Sequence, residues 1–501
     1  MPELKRSLKS DFIKSQNWLV LVILLFPIIV SFFRLRTLDN DFYFLYATGD
    51  YIVKNGFPHY DMLSMHSDMK IVVQQWLSSV IFYFVYSKFG MVGMLVLLYS
   101  FYIGICLLSY RLNYLITNNK LLSALIACIT DFLLFKNLAV TRPQLFTYTF
   151  LLIELCLLEK FVLTKKNLYL AVLPLLSLAL VNLHAAMWPM MFVFMLPYIV
   201  AAIPVNITIK GRRFKYEPCC NLLPLLCSFA VSIVLGLLNP YGIDNVIYLT
   251  SSYGQDKLNA MIIEMQPTSL SIQYGKYFFL FLALIGVIVF FKKKSDFSVR
   301  FFCLFCGTTL LALMHVKAIS YFFVFSISAF SYVLRDIEFK LPEKIKITRT
   351  VNLLTGIIAV LILAVTCLVC LNDSILSKPS FEYHYEQLDE IVEILDREEA
   401  PVVLYTNFND GQYLEYKGYH PYIDGRAELF LLANNDSFDY FEEYYNMKSA
   451  HMYYKDFTDK YGFNYLIISK ESDRYLYMSL LYDDDYEITY ESSGLCLFEL
   501  K

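Results

Sequence analysis

The sequence predicts a mostly α, polytopic helical membrane protein of about eleven spans, N-terminus inside and C-terminus outside, ending in a C-terminal extracytoplasmic α/β domain. Three observations carry that prediction. Hydrophobic residues make up 57% of the 501 and charged residues only 17%, with a mean hydropathy of +0.50; soluble domains carry about 25% charged residues. Apolar stretches long enough to cross a hydrocarbon core of ~30 Å recur along the chain. The net charge of −3 hides a split: residues 1–371 carry 32 Lys/Arg and 18 Asp/Glu, and residues 372–501 carry 10 and 27. Disorder, a collagen-like repeat and a small disulfide scaffold are excluded. The acidity of the last part argues against nucleic acid and against docking on anionic lipid headgroups.

The eleven apolar stretches fall in 17–34, 91–110, 121–139, 144–162, 168–183, 186–204, 221–238, 277–291, 301–316, 320–334 and 351–371. Lys5, Arg6, Lys9 and Lys14 precede the first stretch, but no small-residue cleavage site follows it, so it reads as a span rather than a signal peptide. With the N-terminus inside, inner loops hold 22 Lys/Arg and outer loops 10, the asymmetry expected of cytoplasmic loops. A twelfth span at 74–89 would break that alternation, so 74–89 reads as an amphipathic helix on the outer surface. The chain thus divides into a transmembrane domain, 1–371, whose first outer loop covers 35–90, and an outer domain, 372–501.

Under this topology the polar oddities fall on the outer side. Asp39, Asp41, His59, Asp61 and Gln75 lie in the first outer loop. Arg142 and Gln144 sit in the turn T-R-P-Q, and Asn182 and His184 in V-N-L-H-A. Asn239 and Tyr241 open the next outer loop, which holds Glu264; His315 and Lys317 sit in H-V-K-A. Ionisable groups at the tips of apolar hairpins tend to mark functional pathways. Residues 41–54 read as an amphipathic helix stopped by Gly56 and Pro58. A carboxylate at its start, Asp39 or Asp41, could act as a general base or hold a divalent cation, Mg or Mn. The bland reading of that pair is helix capping.

Ordered together, these segments resemble the GT-C superfamily of integral-membrane glycosyltransferases, which includes protein O-mannosyltransferases and the aminoarabinose transferase of lipid A. The likeness is carried by Asp39-Asn-Asp41-Phe-Tyr-Phe-Leu-Tyr-Ala-Thr-Gly49, Gly56-Phe-Pro58-His-Tyr-Asp61-Met-Leu-Ser64, Gln75-Trp76-Leu77, Arg142-Pro143-Gln144, Asn182-Leu183-His184, Asn239-Pro240-Tyr241-Gly242 and Ile423-Asp424-Gly425-Arg426. It implies sugar transfer from a polyprenyl-phosphate donor to a glycan, lipid or protein acceptor at the outer face of a bacterial plasma membrane, in building or modifying the cell envelope. It implies Asp41 as base or metal-associated residue, with Asp39 second. Two departures stand out. Gln74-Gln75 occupies the place of His-Glu, and Tyr43-Phe44-Leu45 that of a Trp-Trp-His run. A leaving phosphate needs cations: Arg142 first, for its bidentate fork, and Lys317 second, ahead of Arg34 and Lys54. His59, His184 and His315 could bind phosphate, acceptor or metal, and Arg426 could face donor or acceptor or merely pair with Asp424. The competing readings are a lipid-linked-sugar transporter, for which no inverted repeat is visible, and a non-catalytic assembly factor, which the loss of His-Glu favours.

Residues 372–501 alternate helix and strand signals: a helix over 381–397; strands at 401–406, 411–416 and 419–423; helices across 437–461; and strands at 464–469, 485–490 and 495–500. The pairs Cys303/Cys306 and Cys367/Cys370 lie in apolar stretches and read as small buried residues. No nucleotide-binding glycine loop is present.

Overall fold

The computed structural model describes residues 18–32, 38–137, 139–209, 212–216, 218–251, 258, 262–291, 298–335 and 349–501. Half of the inner-loop basic residues behind the orientation argument, including Lys5, Arg6, Lys9 and Lys14 and the basic loops at 292–297 and 336–348, lie outside these, as does Arg34. The described chain is mostly helical with a small sheet near its C-terminus. It forms two compact units: residues 1–36, 95–238 and 262–374 make the first, and residues 37–94, 239–261 and 375–501 the second. The first outer loop therefore clusters with the C-terminal residues rather than with the other apolar helices.

In the first unit, every apolar stretch contains a helix. Among the described residues Leu168–Met187, Gln273–Phe290 and Trp76–Thr117 are long and apolar enough to span a membrane, and the bent pair Val316–Phe325 and Ser328–Leu334 passes the same test if counted as one span. Trp18–Phe32, Pro189–Ala201, Leu222–Gly236, Val299–Met314 and Leu361–Asn372 are apolar but shorter. At 1.5 Å per residue, an apolar segment of 12–16 residues reaches roughly 18–24 Å, short of a hydrocarbon core. The count of eleven spans accordingly stays an expectation. Helices Leu173–His184 and Leu222–Gly236 pack closely. A Cβ on Gly236 would sit 2.0 Å from the Trp188 ring, whose Nε1–H donates to Ser177 Oγ at 2.7 Å. The surface of this unit is apolar, with Phe290 82% and Leu168 72% exposed. A hairpin, Val205–Ile209 with Arg212–Tyr216, occupies a stretch read from sequence as loop.

Within the second unit, helix Asp41–Asn55 stands as predicted, burying Phe42, Leu45, Gly49 and Ile52 and ending at Gly56 with φ +85°. It packs on the start of helix Trp76–Thr117. A Cβ on Gly49 would meet the Ser79 carbonyl oxygen at 2.2 Å, so only glycine lets the backbones approach this closely. The long helix breaks at Gly90, φ +56°, where the predicted surface segment ends. That segment buries Ser78, Ser79 and Phe82 and exposes Phe84 and Phe89, the two faces expected of it.

Helix Arg349–Leu395 buries Leu388, Ile391, Val392 and Leu395, as the 381–397 pattern predicts. The sheet order is Leu404–Tyr405, Tyr465–Ser469, Leu495–Leu500, Tyr486–Glu491, with the first pair parallel and the others antiparallel. Two strand predictions fail. Residues 411–416 form helix Gly411–Lys417, and 419–423 is irregular. Period-2 alternation misleads at 411–416 because Gly411 through Glu415 are all buried: no face is left for solvent, and an all-round burial pattern does not report period.

Candidate functional site

The second unit brings together sequence motifs that are hundreds of residues apart. Asp61 is buried and accepts the Ser64 amide at 2.8 Å. Arg426 Nη1 donates to Asp61 Oδ1 at 2.5 Å and Nη2 to Asp424 Oδ2 at 2.6 Å and Glu415 Oε1 at 3.1 Å. One guanidinium thus faces three carboxyl groups, all 0% exposed at the side chain. Arg426 holds the Asp61 carboxylate below the usual carboxylate range, against the effect of burial, which is the larger single influence and acts upward. Burial, reinforced by Asp424, pushes Glu415 well above its ordinary value. A raised Glu415 pKa favours the neutral form, the direction that lessens the excess of negative charge around Arg426. Arg426 therefore ties Asp61 of the 37–94 segment to Glu415 and Asp424 of the C-terminal residues, and its contact with Asp424 is the pairing read from sequence.

Around this tie the other motifs converge. Tyr241 Oη donates to the Pro58 carbonyl at 3.0 Å, and its ring lies 6.0 Å from His59 and 6.3 Å from Phe57. Phe57 meets Trp76 edge-on at 5.1 Å. Asn239 Oδ1 accepts the Tyr241 amide at 2.9 Å, which shapes the Asn-Pro-Tyr-Gly turn. Gln75, with Gln74 and Arg426, lines a cavity of about 30 Å³, too small for a sugar ring. His66 Nε2 donates to the Tyr422 carbonyl at 2.9 Å while its ring stacks on Tyr440 at 3.7 Å. Burial lowers its pKa to about 4.

The acidic pair opens helix Asp41–Asn55. Asp39 Oδ1 accepts the Asp41 amide at 3.2 Å, one residue ahead of the N-cap Asn40, whose side chain makes no cap bond. Asp41 sits in the first turn, half-buried, at the helix end that favours anions. Between them, Asn40 is held from both sides: its Oδ1 accepts Tyr385 Oη at 2.9 Å, and its Nδ2 donates to the Asn409 carbonyl at 2.7 Å. Sequence reasoning missed Tyr385 and Asn409, because no local pattern announces a partner some 345 or 369 residues away. Among the described residues no group of three His, Cys, Asp or Glu is placed to hold a metal ion. Asp39 and Asp41 offer a two-carboxylate donor set, to which a divalent cation would need further ligands from substrate phosphate or water.

In the first unit the remaining candidates gather at helix-connecting turns. Arg142 Nη1 lies 3.6 Å from Glu264 Oε1. His315 Nδ1 donates to the Met265 carbonyl at 2.8 Å, and the Val316 amide to that of Gln266 at 3.0 Å. His184 is buried, its Nδ1 2.7 Å from Thr147 Oγ1 and within electrostatic reach of Lys317. Asn182 Nδ2 donates to the Leu178 and Leu238 carbonyls at 2.8 and 3.1 Å. Gln144 Oε1 is buried with no hydrogen-bond partner among the described residues. The four turns T-R-P-Q, N-L-H, I-E-M-Q and H-V-K are thereby linked side by side, with two cations, Arg142 and Lys317, among them.

No family model matches the chain, and no curated protein matches it by sequence. Solved structures do. The Archaeoglobus fulgidus oligosaccharyltransferase tethered with an acceptor peptide containing the NVT sequon superposes with a TM-score of 0.55 at 11% identity, covering 97% of this chain and 74% of that one. The same enzyme complexed with Zn and sulfate gives a TM-score of 0.50 at 13% identity, over 96% and 73%. The fold is thus shared, almost end to end, with oligosaccharyltransferases, which belong to the GT-C superfamily. The resemblance seen in the motifs holds at the level of fold, while the O-mannosyltransferase or aminoarabinose-transferase subtype is not carried by these matches.

Proposed function

We propose that the protein is a membrane glycosyltransferase that transfers a sugar from a polyprenyl-phosphate donor to an acceptor hydroxyl at the outer face of a bacterial plasma membrane, in making or modifying a cell-surface glycan. The observation that carries this reading is the fold shared with the oligosaccharyltransferases over 97% of the chain. Asp41, at the start of the first helix after the first apolar segment, occurs where the resembling motif has its acidic residue. In the reaction the acceptor oxygen bonds to the anomeric carbon, the bond from that carbon to the phosphate oxygen breaks, and polyprenyl phosphate leaves. The acceptor proton goes to Asp41. Arg142 and Lys317 supply the positive charge that a leaving phosphate requires, Arg142 through its bidentate fork. Asp39 serves Asp41 indirectly, its Oδ1 accepting the Asp41 amide.

Purified full-length protein in nanodiscs, given labelled lipid-linked sugars and candidate acceptors, tests the reading. Asp41→Asn keeps the shape of the side chain and removes the base. Transfer should fall by about 10²–10⁴-fold with thermal stability unchanged. Undiminished turnover removes Asp41 from the mechanism.

A further inference from the structure

Outside the ties already described, the second unit contains a cavity of about 340 Å³, at the small end of the range for ligand pockets. Its wall comes from three separate stretches: the pair of extended segments around Tyr60 and Lys70, the helix Asp244–Ser251, and the turn at 433–436. The first and second carry the Gly-x-Pro-His-x-Asp and Asn-Pro-Tyr-Gly motifs, and Tyr241 ties them together through Pro58.

The lining has a definite chemical character. Three tyrosines contribute: Tyr60 is 54% exposed, whereas Tyr241 and Tyr248 are 8% and 7% exposed. An exposed, otherwise unburied Tyr beside a cavity offers a flat face for a partner that is apolar on one side and wet on the other. Polar groups converge from the opposite side. Asn434 is held in orientation, its Nδ2 donating to the Glu428 carbonyl at 2.7 Å and its Oδ1 accepting Ser251 Oγ. Asp244 and Asp436 add acceptors, and Lys70 pairs with Asp436 at 2.6 Å. The charge is two carboxylates against one ammonium, already spent on one of them, which disfavours an anion. Aromatic faces with fixed amide, hydroxyl and carboxylate groups match the two sides of a sugar ring: its C–H face and its hydroxyl edge.

We infer that this cavity is a carbohydrate subsite that holds one or two uncharged sugar residues of the acceptor. The inference rests on the glycosyltransferase reading and names its acceptor class.

The test uses the full-length protein in nanodiscs and saturation-transfer NMR with a mixture of neutral mono- and disaccharides, with inorganic phosphate as the competitor. Ala433→Trp fills the cavity, and Tyr60→Ala removes its exposed aromatic face without touching the core. Sugar binding is expected in the wild type, unaffected by phosphate, weakened at least tenfold by Tyr60→Ala and abolished by Ala433→Trp. Thermal unfolding identifies any variant that fails for want of folding. Absence of sugar binding in the wild type, equal binding in Tyr60→Ala and a folded Ala433→Trp, or displacement by phosphate would each overturn the subsite. The transferase reading is scored separately by Asp41→Asn. Sugar binding in a protein without transfer would leave the subsite standing, and transfer with an acceptor KM unmoved by Tyr60→Ala would leave only the enzyme.

Discussion

Each of the two units buries an arginine against carboxylates, and each uses it to fasten distant parts of the chain, but the charge ratios differ. In the first unit Arg300 meets one carboxylate, Glu159, through Nε at 2.9 Å and Nη2 at 3.2 Å, with Tyr198 Oη donating to the same group at 2.8 Å. Positive and negative are matched, and three helices are joined. In the second unit Arg426 meets three carboxyl groups, from residues 61, 415 and 424. The surfaces differ in the same sense. The first unit turns aliphatic and aromatic side chains such as Phe290 and Leu168 outward, while residues 372–501, which lie mostly in the second, carry 27 Asp/Glu against 10 Lys/Arg. A balanced pair suits an environment that cannot solvate leftover charge. An unbalanced cluster is eased when one carboxyl group favours its neutral form, the direction in which burial pushes Glu415.

The comparison is broken most strongly by removing the hub. Arg426→Met leaves Asp61, Asp424 and Glu415 without their cation, and breaking a buried pair from one side costs about 3–5 kcal/mol. The expected result is loss of the second unit's cooperative unfolding transition and of hydrogen-exchange protection at 61–71 and 420–430, with the first unit's protection retained. Uniform loss of protection through both units would show that they do not unfold separately.

A second asymmetry is acid sensitivity. His66 is buried and neutral, with its pKa lowered from 6.5 to about 4 chiefly by burial; Tyr422's carbonyl, Asp61, Asp68 and Glu443 oppose the shift only in part. Between pH 4 and 6.5 the unfolded chain binds a proton there that the folded chain does not. Stability therefore rises with pH across that window and is lost as pH falls through it, by roughly 3 kcal/mol in all. Asp61, whose pKa is lowered, adds to the loss at still lower pH; Glu415, whose pKa is raised, acts in the opposite sense. His66→Gln keeps a donor toward the Tyr422 carbonyl and removes the titration. Its unfolding free energy should vary less steeply over pH 4–6.5, by about one proton. An unchanged slope would assign the acid sensitivity to the carboxylates.

How much of this is legible in the sequence follows the range of the interactions. Helix 41–55 and the apolar face Leu388–Leu395 are written in local periodicity, and the strand pair 486–491 and 495–500 in alternation around Ser-Ser-Gly; all three stand. The motif residues could be found, but not their partners. Nothing near Asp61 points to Arg426, 365 residues on, and nothing near Asn40 points to Tyr385. Asn435 shows how readily a short pattern matches by chance. It opens a match to the glycosylation pattern, yet it is 0% exposed and its amide donates to the Leu429 and Phe438 carbonyls. Local chemistry proposes such residues, and only the packing decides between a turn and a site.

The smallest of the expected effects concerns close packing. Gly49 in the second unit and Gly236 in the first each leave no room for a Cβ, but against different neighbours. Gly49→Ala would drive a methyl toward the Ser79 backbone carbonyl at 2.2 Å, and Gly236→Ala toward the Trp188 ring at 2.0 Å. Overpacking costs typically about 1–3 kcal/mol. A backbone carbonyl inside a helix yields only if the two helices part, whereas an indole can tilt at the expense of its bond to Ser177. Gly49→Ala should therefore fall at the upper end of that range and Gly236→Ala at the lower, measured by thermal unfolding of each variant. Ser177→Ala, which frees the indole, should lessen the cost of Gly236→Ala in a double-mutant cycle. If the two changes add independently, the indole does not move and the first unit is as rigid at this contact as the second.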